Sequence, residues 1–459
     1  MTLLTTLFYY VLVPLMVLGI AVNIHEFGHF IIAKLFKMRV EAYSFFGLGP
    51  RIWGFRRGHT DYRISAIPLG AYVKLYGDES NSGLEAADDT SEPVPENELY
   101  ELRPRWQKLL VMLGGPFMNL VLAFSVPFAS GLVQGIPAMP APIIGKVKAE
   151  GPAAAGGMQV GDRITSFNRI ENPTWRNVEV EVAVNADRPL PVTVDRNGQR
   201  VSFEVTPRSE KAFAGQSIGT IDADPDMGAQ PVVIGIIQPN TPAAEAGLQP
   251  DDHIIAVNGE AVRDATNTRE LVDKYKGSPI QLSIERNGQP LMVTATVRKL
   301  EDGTERLGFG FKRAELPMEP ASIASAANYA FTTNLETVKA TGSVLGQVFA
   351  GKRSVKDSGI GGPIGIFQQS AEATRLLGLE GFLVILTGIS LSLGLFNLLP
   401  VPMLDGGQIL VLGIDKVMSW FGRTLSMVAR ERIQLTGLAI VLLLMVTVIF
   451  FDVSRLIGN

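Results

Sequence analysis

The chain has 459 residues, more than one ordinary core accommodates, so several domains are expected. Apolar residues make up 46% of it and the mean hydropathy is +0.21, which places part of the chain in lipid. A net charge of -4 without a basic stripe excludes nucleic acid as a partner, and the lack of cysteine excludes disulfides, thiolate nucleophiles and Cys-based metal sites together.

The first element, residues 1–33, is an apolar run long enough to span a bilayer. It holds no Lys or Arg, so it lacks the basic region of a signal peptide and reads as an uncleaved transmembrane helix. Within it lies His25-Glu26-Phe27-Gly28-His29. Residues four apart share a helix face, so His25 and His29 can offer two imidazoles to one metal ion with Glu26 beside them. A zinc hydrolase needs neutral nitrogen donors and a carboxylate that is not a ligand, to take a proton from water, and Glu26 fits the second role. The competing reading is a structural pair of buried histidines. Ionisable groups at bilayer depth are expensive and usually functional, which favours the metal.

Residues 34–76 carry short strand-like runs broken at Gly47, Gly49, Gly58 and Gly70, read as a small curved sheet or pair of hairpins associated with the membrane. One exposed edge, around Gly70, Ala71 and Tyr72, is a candidate to receive an extended substrate by strand addition. Residues 77–108 read as an acidic flexible linker followed by an interfacial segment, and residues 109–133 as the second transmembrane helix.

The central region repeats itself. Pro152-Ala153-Ala154 returns as Pro242-Ala243-Ala244, Asp162-Arg163-Ile164 as Asp252-His253-Ile254, and Arg196-Asn197-Gly198-Gln199 as Arg286-Asn287-Gly288-Gln289, all at one offset of about 90 residues. The modules, residues 141–226 and 227–312, resemble bacterial PDZ domains. That resemblance implies peptide or chain-end ligands at a sheet edge.

Residues 313–377 read as an amphipathic helix, lying on the membrane or on the protein, and a glycine-rich connection with no GK[ST] ending for phosphate. A third transmembrane helix follows at 378–400, then a loop at 401–432 and a fourth helix at 433–451. Lys and Arg cluster in 34–63, 103–108 and 416–432, so the positive-inside rule makes those connections cytoplasmic and the central modules external. His25 and His29 then sit nearer the cytoplasmic face.

A catalytic zinc site takes three protein ligands, and His59 and His253 are poorly placed to supply the third. Asp405 qualifies, because the third helix ends in Asn397-Leu398-Leu399-Pro400-Val401-Pro402-Met403-Leu404-Asp405-Gly406. Pro400 and Pro402 interrupt the helix, which is tolerated at that depth only where protein or a cavity satisfies the freed carbonyls. The HEFGH run, the NLLPVPMLDG run and the intervening modules together resemble the site-2 protease family of intramembrane zinc metalloproteases. Gly114-Gly115-Pro116 with Asn119, and Gly361-Gly362-Pro363, belong to the same resemblance. It covers nearly the whole chain, with Ala71 as a departure where relatives often have glycine.

The resemblance implies a polytopic α-helical membrane protein with four transmembrane helices, a β-hairpin region and two inserted PDZ domains. It implies His25, His29 and Asp405 as Zn²⁺ ligands, Glu26 as catalytic base, and Asn397 as a holder of the substrate backbone. Pro400, Pro402, Gly70, Ala71 and Tyr72 join Asn397 as candidate substrate-binding residues. It further implies a bacterial inner membrane, a single-pass anti-sigma factor already trimmed outside as substrate, and remnant signal peptides as a second class. The PDZ pair suggests a periplasmic size filter. Two other classes fit some of the same residues: a metal transporter, which would want several ligand clusters, and a PDZ scaffold with a degenerate metal site.

Overall fold

The computed structural model describes residues 3–67, 70–77, 94–211, 217–275, 277–299, 305–312, 316–354, 361–423 and 425–457. Most of the acidic linker and part of the glycine-rich connection therefore lie outside the described residues. The chain divides into two units, one of residues 1–136, 209–218 and 320–459, the other of residues 137–208 and 219–319.

Among the described residues, the first unit contains four helices long and apolar enough to cross a membrane. α1 is Leu3–Leu35, with a π-helical segment at Phe8–Leu12. Four strands follow: β1 Val40–Phe46, β2 Leu48–Arg57, β3 Thr60–Ile67 and β4 Tyr72–Leu75. They form one sheet in the order β2-β3-β1-β4, with β1 parallel to β3 and the other pairs antiparallel. The pair-of-hairpins alternative is thereby corrected, since β1 inserts between β3 and β4 and leaves β4 with one open edge. Val40, Tyr43, Val73 and Leu75 pack with Ala33 of α1, fixing the sheet against the end of that helix.

α2, Arg105–Gln134, begins earlier than its apolar run, with Pro104 as N-cap and Arg105, Trp106, Gln107 and Lys108 as its first turn. α3, Ile323–Phe349, is the amphipathic helix, and it packs on protein: Ala326 and Ala330 are buried and Asn334 donates to the Ala123 carbonyl of α2 at 3.0 Å. α4 runs Pro363–Asn397, so residues 363–377 are helix where the sequence suggested a connection. Gly378 (φ 60°) breaks the helical backbone there, a conformation glycine adopts without a Cβ penalty. A further helix, α5 at Asp405–Trp420, occupies what the sequence presented as a loop, and α6 is Met427–Ile457. Asp452 of α6 accepts from the backbone N–H groups of Gly362 and Gly365 at 3.0 and 3.1 Å, capping the start of α4 from another helix.

The second unit holds the same arrangement twice. In the first half, strands Arg163–Phe167, Leu190–Arg196 and Gln199–Val205 are neighbours in one sheet, with helix Trp175–Val184. In the second half, His253–Val257, Pro279–Arg286 and Gln289–Thr296 correspond, with helix Ala265–Lys274. Each half has its own apolar core, one around Phe167, Val178 and Val194, the other around Ile254, Leu271 and Ile284. Each is closed by a matching clamp: Arg196 Nε lies 2.7 Å from buried Asp162, and Arg286 Nε 2.7 Å from buried Asp252.

Candidate metal centre

The site forms where α1, α2 and the start of α5 meet. α1 and α2 cross with backbones in contact, and a Cβ at Gly114 would come within 2.6 Å of the Gly28 carbonyl oxygen. A Cβ at Gly115 would lie 2.7 Å from His25 Nε2, so glycine leaves the space that both imidazoles use. Close crossing of spanning helices through small residues is how a bilayer permits backbone approach.

Each imidazole is oriented through its other nitrogen. His29 Nδ1 lies 2.7 Å from the Val111 carbonyl, which only accepts, so the proton sits on Nδ1 and Nε2 presents a lone pair. His25 Nδ1 faces the side-chain amide of Asn119 at 3.1 Å. Asn119 is fully buried and held by Ser390, whose hydroxyl donates to the Asn119 main-chain carbonyl at 2.9 Å and lies 3.3 Å from Oδ1. With Nε2 of His25 used as a donor to metal, Nδ1 carries the proton and Asn119 turns its amide oxygen toward it.

Asp405 completes the group. Its Oδ2 lies 3.1 Å from His25 Nε2, its Oδ1 3.5 Å from His29 Nε2, and the two Nε2 atoms are 3.2 Å apart. Bonds of about 2.0–2.1 Å to a tetrahedral zinc put ligand atoms about 3.3 Å apart, so the three donors fit that ion. Lone pairs facing one another at these distances repel unless a cation lies among them, and among the described residues buried Asp405 Oδ2 has no hydrogen-bond donor. Two imidazoles and a carboxylate are also a donor set suited to zinc.

Glu26 stands beside this group without joining it. Its Oε2 accepts from the Val73 N–H of β4 at 3.2 Å, which brings the open edge of the sheet to the site. His25, Glu26, His29 and Asp405 line one cavity of about 320 Å³, together with Val73, Leu75, Tyr100, Asn397, Met403 and Gln408. Met403 has φ 83°, a left-handed backbone rare for its type, in the turn that delivers Asp405.

The chain matches the model of peptidase family M50 over residues 13–444. It belongs to peptidase family M50. The regulator of sigma-E protease RseP of Escherichia coli K12 is 31% identical over 464 residues, covering 96% of this chain and 97% of the relative. The corresponding protease of Salmonella typhimurium strain 14028s is 32% identical over 461 residues, with the same coverage. A Neisseria meningitidis serogroup A protein, described provisionally as a zinc metalloprotease, is 29% identical over 468 residues, again covering 96% and 97%. As a member of family M50 the chain is a zinc metalloendopeptidase with a membrane-embedded part. The transporter and scaffold readings are corrected accordingly.

Of the residues singled out by sequence, the structure brings His25, Glu26, His29, Asp405 and Asn397 into one cavity. Gly70, Ala71, Tyr72, Pro400 and Pro402 are not among its lining residues. On β4 the alternation of a strand turns Val73 and Leu75 inward, while the Tyr72 ring lies under the Arg63 guanidinium at 5.3 Å. Pro402 instead meets α6, where a Cβ at Gly437 would approach its carbonyl oxygen to 2.6 Å. The sequence reading gave no role to Val111, Met403 or Gln408; Val73 entered only within the strand edge near Ala71 to Leu75, and Asn119 only as part of a pattern.

Proposed function

We propose that this M50 peptidase hydrolyses a peptide bond inside the transmembrane segment of a single-pass membrane protein, with His25, His29 and Asp405 holding zinc and Glu26 as the general base. The observation that carries the reading is the cavity itself. A carboxylate lies next to three convergent donors, and an open strand edge touches that carboxylate.

A bound zinc ion supplies a positive charge that polarises the scissile carbonyl and acidifies a water molecule. Glu26 takes the proton from that water and returns it to the leaving amine. Val111 and Asn119 keep the imidazoles in the tautomer that faces the ligand position. A spanning substrate hides its carbonyls in helical hydrogen bonds and must unwind to be cut. The edge of β4 offers backbone groups to the unwound stretch and the Asn397 amide offers side-chain hydrogen bonds, while Pro400, Pro402 and Gly70 shape the turns around them.

The names of the relatives favour a role in sigma-E regulation, hence an inner-membrane enzyme acting on a pre-trimmed anti-sigma factor, with remnant signal peptides as a second substrate class. The second unit is read as a PDZ tandem. Its duplicated elements and separate cores support that reading, and its place in the chain between α2 and α3 puts it outside by the charge rule. There it acts as a size filter.

The test is zinc content and cleavage of a single-pass substrate by purified wild type, Glu26→Gln and His25→Phe. Glu26→Gln is expected to keep zinc and lose cleavage by at least about 10²-fold, and His25→Phe to lose zinc. Cleavage by Glu26→Gln at the wild-type rate would refute the base.

A further inference from the structure

α2 touches the metal centre in more than one way. Its Val111 carbonyl and Asn119 amide orient the two imidazoles directly. Its first residue, Arg105, reaches a different element: Arg105 Nη2 donates to Asp415 Oδ2 of α5 at 2.9 Å. Asp415 is buried, and its Oδ1 also accepts from the backbone N–H of Leu425, beyond the end of α5, at 3.3 Å.

α5 opens with Asp405, and Asp415 follows nearly three turns later, about 15 Å along the axis. We propose that the Arg105–Asp415 ion pair is a positioning device for Asp405, fixing the direction of α5 on the helix that already orients both imidazoles. This rests on the reading of His25, His29 and Asp405 as the zinc site.

The near end of α5 is held by its own polypeptide and by apolar packing on α1 and α2. Gly407 packs against the preceding turn, where a Cβ would lie 2.7 Å from Pro402 Cα. That contact ties Asp405 to the end of α4 and carries no information about α1. Ile409 packs on the apolar cluster containing Ala33 and Val111, a contact without direction. A charge-assisted hydrogen bond at the far end supplies the missing direction. A tilt of about 2° over a 15 Å arm moves the carboxylate by about 0.5 Å, beyond the latitude of about 0.2 Å that a zinc site allows. Arg105 and Asp415 are not among the residues lining the site, so their effect on zinc runs through the position of Asp405.

The experiment uses the purified full-length chain. Zinc content is measured first, then the rate of zinc release into excess chelator, then the visible spectrum after cobalt replacement, for wild type, Asp415→Asn, Arg105→Gln, Arg105→Lys and the exchange Arg105→Asp with Asp415→Arg. Asp415→Asn and Arg105→Gln are expected to release zinc at least about tenfold faster and to alter the cobalt bands, with helix content by circular dichroism unchanged. Arg105→Lys and the exchange should return release to within about threefold of wild type. Wild-type release rates and spectra in both single variants would overturn the positioning role. So would rapid release that neither Arg105→Lys nor the exchange corrects. Arg105→Gln leaves the buried carboxylate in place, so it decides the matter should Asp415→Asn fail to fold. A wild-type chain that binds no zinc would refute the metal-centre reading itself, an outcome distinct from the others.

Discussion

Asn119 shows what a single residue contributes to a site without touching the reacting atoms. Its amide is the only described side chain bonded to His25 Nδ1, and it is buried with Ser390 as its own support. Removing such a partner loosens both the tautomer and the ring plane of the ligand. Asn119→Leu is therefore expected to weaken zinc binding about 10–100-fold, measured by competition with a chromogenic chelator, with the overall helix content retained. The histidine pair and Glu26 were legible in the sequence because their chemistry is written in one short spacing, and Asp405 because it follows the proline-interrupted end of an apolar run. The role of Asn119 was not, since it depends on α2 crossing α1, and no local pattern states which carbonyl or amide will face an imidazole 94 residues away.

At the level of elements, β4 matters through its backbone. The Val73 N–H points away from β1 and toward Glu26, so proline at 73 removes an edge donor and spares the ladder. Val73→Pro is expected to lower cleavage about tenfold, the worth of one hydrogen bond to a charged group, while zinc content stays at one per chain. The strands themselves could be read from glycine-punctuated apolar runs. Their order could not, because the parallel pairing of β1 with β3 is a choice made in three dimensions. The same limit hid the first half of α4, whose Gln368, Gln369, Glu372 and Arg375 carry no hydropathy signal, and α5, whose Gly406-Gly407 start reads as a turn. In the second unit, burial opposes ionisation of Asp252, but Arg286 and the Gln249 N–H outweigh it and hold its carboxyl below the usual carboxylate range. A depressed folded-state value means that the unfolded chain takes up the proton first. This stabilisation is complete above about pH 4 and lost as pH falls through the folded value. Asp252→Asn should lower stability at pH 7 by about 1–3 kcal/mol and flatten the acid limb of a thermal-denaturation series.

For the whole molecule, the proposed filter makes a prediction that no local feature of the cavity would make. A compact domain fused to the outer end of the substrate should abolish cleavage by the full chain, read by gel shift of the product; equal rates for bare and fused substrates would refute filtering. Much of this architecture was visible from the order of residues along the chain: four apolar runs, a duplicated middle and a charge asymmetry. What that order could not supply was the division of labour within the cavity. Beside the imidazoles, α1 and α2 cross at Gly28, Gly114 and Gly115, where backbone meets backbone and imidazole with no room for a side chain. The cavity itself is lined by Val73, Leu75, Tyr100, Asn397, Met403 and Gln408 among others, side chains of varied size from several elements. Redesign of the cavity is thereby confined to its lining side chains. A changed appetite for substrate sequence has to be written into those side chains, because any side chain added at the glycine crossing erases the site it would be tuning.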